Sequence, residues 1–133
     1  MAKIKLDLDA TDVITFERAV DIPTPDARGL KITFTFTYRD REAIATLFDG
    51  YKAKAEAAAQ ARASASDDES IVETVRTSLK NDVDVIMDIA SGWNVDAPWS
   101  EEYVRKMCLR YAGAAMAIVS DYRVSLTQGR LGN

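Results

Sequence analysis

Lys31-Ile32-Thr33-Phe34-Thr35-Phe36-Thr37-Tyr38 runs directly into Arg39-Asp40-Arg41-Glu42-Ala43-Ile44-Ala45-Thr46-Leu47-Phe48, and the periodicity of the chain changes at this junction. Over residues 31–38 the apolar side chains Ile32, Phe34, Phe36 and Tyr38 alternate with Lys31 and three threonines. That is the period of two of a half-buried strand, built from residue types that suit a pleated surface. After Arg39 the spacing becomes Ile44, Leu47, Phe48, Tyr51, one face of a helix, with Asp40 placed to cap its start. A strand feeding a helix within one chain of 133 residues sets the expectation of an α+β fold.

Upstream, Val13–Ile22 places Ile14, Phe16, Val20 and Ile22 on one face, interrupted by Arg18. Between it and the residue 31–38 strand lies Pro23-Thr24-Pro25-Asp26-Ala27-Arg28-Gly29. Two residues without an N–H, followed by an Asp and a Gly suited to special turn conformations, predict a hairpin connection. Residues 3–9 alternate Ile4, Leu6 and Leu8 with charged neighbours, so they read as a further strand. The expected sheet is an antiparallel hairpin or a small three-stranded sheet within residues 2–38.

Downstream, residues 40–128 read as about three to four packed helices, the whole chain forming a single domain. From Ala53 to Ala65 the first helix becomes alanine-rich, with an apolar face reduced to methyl groups; residues 53–66 are an arm of high helix propensity. Ser64–Ser70 offers a break and several caps. Ile71, Val75, Leu79, Val83, Ile86 and Ala90 form the next helical face, although alternation at Val83, Val85, Met87 and Ile89 leaves a strand open there. Gly92 is placed to end that helix, and Trp93–Trp99 to form a loop with two large anchors. Ser100-Glu101-Glu102 is a helix start, with Val104, Met107, Cys108 and Tyr111 as its face. Gly113 is placed to kink or divide the helical stretch around it; Ala114, Ile118, Tyr122 and Leu126 form a last face, and the chain ends in a frayed tail.

Composition narrows the function. The net charge is −4, with all of the excess acid in residues 67–133, so no counterion-release drive toward nucleic acid exists. The absence of histidine removes Ser-His-Asp and Cys-His catalysis and histidine metal sites. A lone Cys108, read as a small buried hydrophobe, forms no disulfide within the chain and fits a reducing compartment. No stretch reads as a signal peptide or a membrane span. Asp67-Asp68-Glu69 and Asp82, Asp84, Asp88 are the only acidic groupings, and neither follows the spacing of a calcium-binding loop. On a helix Asp84 and Asp88 share a face while Asp82 lies roughly 160° from Asp84, which argues against a carboxylate-only enzyme. The expectation is therefore a non-enzymatic protein without cofactor or metal. The open edge of a short sheet offers a place for a partner strand. Aromatic placement nominates Phe48 and Tyr51, at the end of the first helical face, and Trp99 and Tyr103, around the second tryptophan, as partner contacts.

Several segments together resemble the phage tail assembly chaperones of long-tailed bacteriophages. They are Val20-Asp21-Ile22-Pro23, Thr33–Arg39 leading into a helix, Gly92-Trp93-Asn94, the Ser100-led helix, the alanine-rich Tyr111–Tyr122 helix and the ending Leu126–Asn133. The resemblance covers most of residues 13–133 through the order of elements. It implies a chaperone that binds the tape measure protein and helps recruit tail tube subunits in the host cytoplasm, absent from the mature virion, and it is compatible with self-association into a homo-oligomer. The competing reading from the residues is a structural virion protein, such as a tail terminator or head-tail connector subunit.

Overall fold

The computed structural model describes residues 3–64 and 71–128. Strands β1 (Thr15–Ile22) and β2 (Leu30–Thr37) are followed by helices α1 (Arg41–Ser64) and α2 (Ile71–Ile89). A short strand β3 (Ala90–Trp93) precedes helices α3 (Glu101–Arg110) and α4 (Ala114–Gln128). The three strands form one antiparallel sheet in the order β1-β2-β3. The α+β architecture expected from the sequence is the one observed.

The hairpin register aligns Phe16 with Phe36, Val20 with Ile32 and Ile22 with Leu30. One face of the sheet is therefore apolar: Phe16, Val20, Ile22, Ile32, Phe34 and Phe36 are all buried. Arg18 lies on that same face, and its guanidinium meets Asp121 of α4 at 3.1 Å, so the apparent interruption of β1 is an ion pair between sheet and helix. The hairpin turn places Ala27 and Gly29 at positive φ, 63° and 74°. Asp26, expected to take a special turn conformation, acts through its side chain instead: the carboxylate accepts from the Thr24 hydroxyl and the Arg28 N–H, which draws the chain into the turn.

Asp40 caps α1 by accepting from the Ala43 N–H at 2.8 Å, as its place in the sequence predicts. Ile44, Leu47 and Phe48 pack against the core only in part, and α1 continues from Ala53 to Ala61 as a largely exposed helix. The stretch with two readings, residues 83–89, is helical, because Leu79, Val83, Ile86 and Ile89 close over the sheet on one face of α2. Ile71 and Val75, at the start of the same face, are exposed. Gly113 falls between α3 and α4 and divides them, and a Cβ there would meet Pro23 Cγ at 3.1 Å.

Two expectations are corrected. Residues 3–9 join no strand ladder and are exposed throughout. Their alternation is real, but nothing among the described residues pairs with them. The third strand is instead Ala90–Trp93, so Gly92 sits in a ladder opposite Thr35 rather than capping α2. A chain leaving a buried helix at Ile89 satisfies its backbone most directly on the free edge of β2, and Gly92 brings no side chain against Thr35. The expected break at Ser64–Ser70 falls largely on residues 65–70, and the expected frayed tail falls on residues 129–133; both lie outside the described residues.

The sheet and the helices are tied together by Tyr122. Its ring is fully buried among Phe16 and Phe36, with the Phe36 centroid at 5.2 Å. Its hydroxyl donates to the Thr37 carbonyl at 2.7 Å and accepts from Arg39 at 3.1 Å. The other arm of the Arg39 guanidinium donates to the Asp88 carbonyl at 2.8 Å. The end of β2, the end of α2 and the middle of α4 are thus joined at one point.

Candidate functional site

β3 is shorter than β2, and this difference leaves an apolar concavity beside it. Pairing between the two strands runs from Phe36 to Phe34 and is extended by Asn94, whose N–H donates to the Thr33 carbonyl at 3.0 Å and whose side-chain oxygen accepts from the Thr33 N–H at 2.9 Å. Beyond Asn94 the chain turns away through Val95–Trp99 toward α3, and among the described residues no strand lies beside Leu30–Ile32 of β2 on that side. A groove of about 400 Å³ lies there. Leu30, Ile32 and Trp93 form its sheet wall, and Tyr103, Met107 and Tyr111, four residues apart along one stripe, form its helical wall.

The loop that bounds the groove is held by its two tryptophans. Trp93 donates from its ring nitrogen to the Ala97 carbonyl at 2.9 Å, and the Trp93 and Trp99 rings meet edge to face at 5.2 Å. Trp99 also places its ring against Phe34 of the core at 6.4 Å. Ser100 then caps α3, its hydroxyl accepting from the Tyr103 N–H, which fixes where Tyr103 enters the groove. Lys106 lies over the Tyr103 ring at 4.9 Å and leaves the ring half-buried.

Phe48 and Tyr51 belong to a different place. Phe48 is half-buried on α1 beneath the guanidinium of Arg123, 5.0 Å from the ring centre. The Tyr51 hydroxyl donates to the Asp88 carboxylate, and Lys54 lies 5.1 Å from its ring. Burial, followed by the bond to Asp88 and the charges of Asp88 and Asp84, raises the Tyr51 hydroxyl well above the ordinary tyrosine range. The four nominated aromatics therefore form two separate pairs. Tyr103 lines the groove and Trp99 braces it, whereas Phe48 and Tyr51 seat the first half of α1 against α2 and α4.

Leu30, Val95, Met107 and Tyr111 are groove residues that aromatic placement along the sequence does not nominate. The stripe of α3 is visible as a periodicity, but its exposure on one flank depends on where β3 stops. The three aspartates of α2 do not converge on one site. Asp84 and Asp88 face Tyr51, while Asp82 lies toward Cys108, whose thiol is pushed up to about 12 by burial and then by the Asp82 charge. Among the described residues no group of three or more acidic or cysteine side chains is arranged to hold a metal ion. Among the same residues no helix is long and apolar enough to cross a membrane.

Comparison with known proteins gives a family. The model of a family described as phage tail assembly chaperone matches residues 1–133, and the chain belongs to that family, which is a non-catalytic one. No curated protein and no solved structure matches the chain.

Proposed function

We propose that this tail assembly chaperone acts as one domain that holds the tape measure protein in the host cytoplasm, helps bring tail tube subunits to it, and leaves before the virion matures. The observation that carries this reading is the apolar groove between β2 and α3, open to solvent and walled by Tyr103, Met107 and Tyr111. A concavity of that size takes two or three apolar side chains of a client segment, and the unpaired flank of β2 offers it backbone partners. Each such contact is modest. A long client carrying many copies gains its hold from avidity, which also leaves each copy easy to release.

Trp99 and Tyr103 serve the groove in this reading, the first as its brace and the second as a contact. Phe48 and Tyr51 contribute a second client contact on α1. Its alanine-rich continuation presents small side chains against which another helix packs closely. Nothing in this function requires a reaction step, a cofactor or a metal.

Co-expression with the tape measure protein tests the proposal. The client is expected to become soluble and to co-elute with several copies of the chaperone on size exclusion. Tyr103→Ala should reduce the copies retained per client without altering the circular dichroism spectrum. An insoluble client beside a folded chaperone eluting alone refutes the reading. Recovery of the protein from purified virions by mass spectrometry refutes its departure and favours a tail terminator or connector role.

A further inference from the structure

β2 ends at Thr37, and the chain crosses to α1 through Tyr38, Arg39 and Asp40. A hollow of about 260 Å³ lies at this crossing, between the start of α1 and the last turns of α4. Three arginines line it: Arg39 at the crossing, Arg41 in the first turn of α1 and Arg123 on α4. Among the described residues none of the three forms an ion pair with a carboxylate, whereas Arg18, Lys31, Arg76 and Lys106 each do. Arg39 donates to two uncharged oxygens, the Tyr122 hydroxyl and the Asp88 carbonyl, while the Asp88 carboxylate accepts from Tyr51. Arg123 lies on the Phe48 ring. These contacts hold two guanidinium groups in place without neutralising them. Among the described residues Asp40 is the only acid that lines the hollow, and its carboxylate accepts from the Ala43 N–H.

A chain of net charge −4 thus gathers three unpaired cations at one place. Their mutual repulsion opposes the fold, and carboxylates brought by a ligand relieve it. Between the cations the walls are apolar: Ile44 and Leu126 are half-buried, and Tyr38 is 42% exposed. From this pairing of a cationic rim with an apolar floor we infer that the hollow binds an acidic segment of a partner protein. An apolar side chain of that segment enters between Ile44 and Leu126, and carboxylates on either side of it pair with Arg39, Arg41 and Arg123. Because Arg39 and Arg123 are already positioned, less side-chain freedom is lost on binding than at a mobile surface arginine.

The shape of the positive region favours a peptide over other anions. A nucleic-acid backbone needs a basic surface longer than one hollow, and the chain as a whole is acidic. A free phosphate leaves the apolar walls unused. The groove beside Leu30 lies at the other end of β2, a strand of eight residues, so the two sites are roughly 25 Å apart at about 3.3 Å per residue. Separate partners therefore fit at the same time. The inference goes beyond the client reading, uses a different surface and does not depend on it.

Fluorescence anisotropy on the full chain tests it, with a fluorescein-labelled peptide whose central leucine is flanked by glutamates on both sides. Binding should saturate below about 1 mM and weaken as salt rises above physiological strength. Replacing the glutamates with glutamine, or the leucine with glycine, should weaken binding roughly tenfold. Arg41→Gln and Arg123→Gln should each weaken it roughly threefold to tenfold, with circular dichroism and melting checked for both. Arg41 is exposed, so its variant keeps the test open should Arg123→Gln disturb the seat of α1. Amide shifts on peptide addition should gather at Tyr38, Ile44 and Leu126. No binding by the parent chain overturns the inference, as does a glutamine peptide that binds as tightly, or an Arg41→Gln chain that binds like the parent. Shifts gathered instead at Tyr103 and Tyr111 overturn it by placing the peptide in the groove. Displacement of the peptide by an equal concentration of inorganic phosphate or oligothymidine overturns the choice of a protein partner.

Discussion

Removing one oxygen, by Tyr122→Phe, tests whether the sheet and helices are joined as described. The hydroxyl donates to the Thr37 carbonyl at 2.7 Å and accepts from Arg39 at 3.1 Å, while the ring packs among Phe16 and Phe36. Phenylalanine keeps the ring and loses both bonds. The Thr37 carbonyl then loses its side-chain donor, at a cost of about 1 kcal/mol, while the half-exposed Arg39 regains water and adds at most as much again. A total of about 1–2 kcal/mol corresponds to a fall in Tm of roughly 3–10 °C for a chain of this size. In urea the midpoint should fall by about 0.5–1 M with the slope unchanged. Tyr122→Leu adds the loss of the aromatic packing and should cost about 3 kcal/mol or more. In a double-mutant cycle, Tyr122→Phe and Arg39→Ala should couple by about 0.5 kcal/mol or more, since the two groups touch. A Tyr122→Phe midpoint indistinguishable from the parent refutes the account of Tyr122 as the tie between β2 and α4.

Cys108 is buried and its thiol raised to about 12, so iodoacetamide at pH 8 should leave the native protein unmodified and label it fully in urea, as read by mass. The same shift has a sign in stability. A thiol held neutral by the fold contributes stability that is complete below the ordinary thiol pKa of 9.0 and is lost as pH rises toward 12, so the urea midpoint should fall over that window. Tyr51 and Tyr122, also raised, push in the same direction above pH 10. In the hairpin turn, Gly29→Ala should cost about 1 kcal/mol because φ there is 74°, whereas Ala27→Gly, at φ 63°, should be neutral or stabilising by a few tenths of a kcal/mol in thermal melts. Ser100→Ala should cost about 1 kcal/mol and loosen the entry of α3, measurable as faster amide exchange at Tyr103.

Much of the fold is legible along the chain because its signals are local. The alternation over residues 31–38, the change of period after Arg39, the cap at Asp40 and the cap at Ser100 each act within a few residues, and each is found where the sequence places it. The reading fails where a segment has two uses. Ala90–Trp93 is too short to show a period of its own, and it becomes a strand only because α2 delivers it to the free edge of β2. Residues 3–9 carry a strand pattern, but a pattern without a partner is not a strand, and none of the described residues stands beside them as one. The nominated site residues divide for the same reason. Aromatic identity marks Phe48, Tyr51, Trp99 and Tyr103 alike, yet of these four Tyr103 alone lines the groove, since exposure depends on what packs alongside.

By itself the sequence determines that this is an α+β protein with a greasy-faced hairpin, a capped first helix ending in an alanine-rich arm, and no histidine chemistry. Those properties follow from side-chain period, backbone capping and residue inventory, which need no knowledge of distant neighbours. The tertiary structure decides that Arg18 is an ion-pair partner rather than a flaw in β1, that the third strand comes from between two helices, and that a lane beside Leu30–Ile32 stays open. Each of these joins residues between 54 and 103 positions apart, and their pairing is fixed by shape and burial after the helices have packed, not by any motif along the chain.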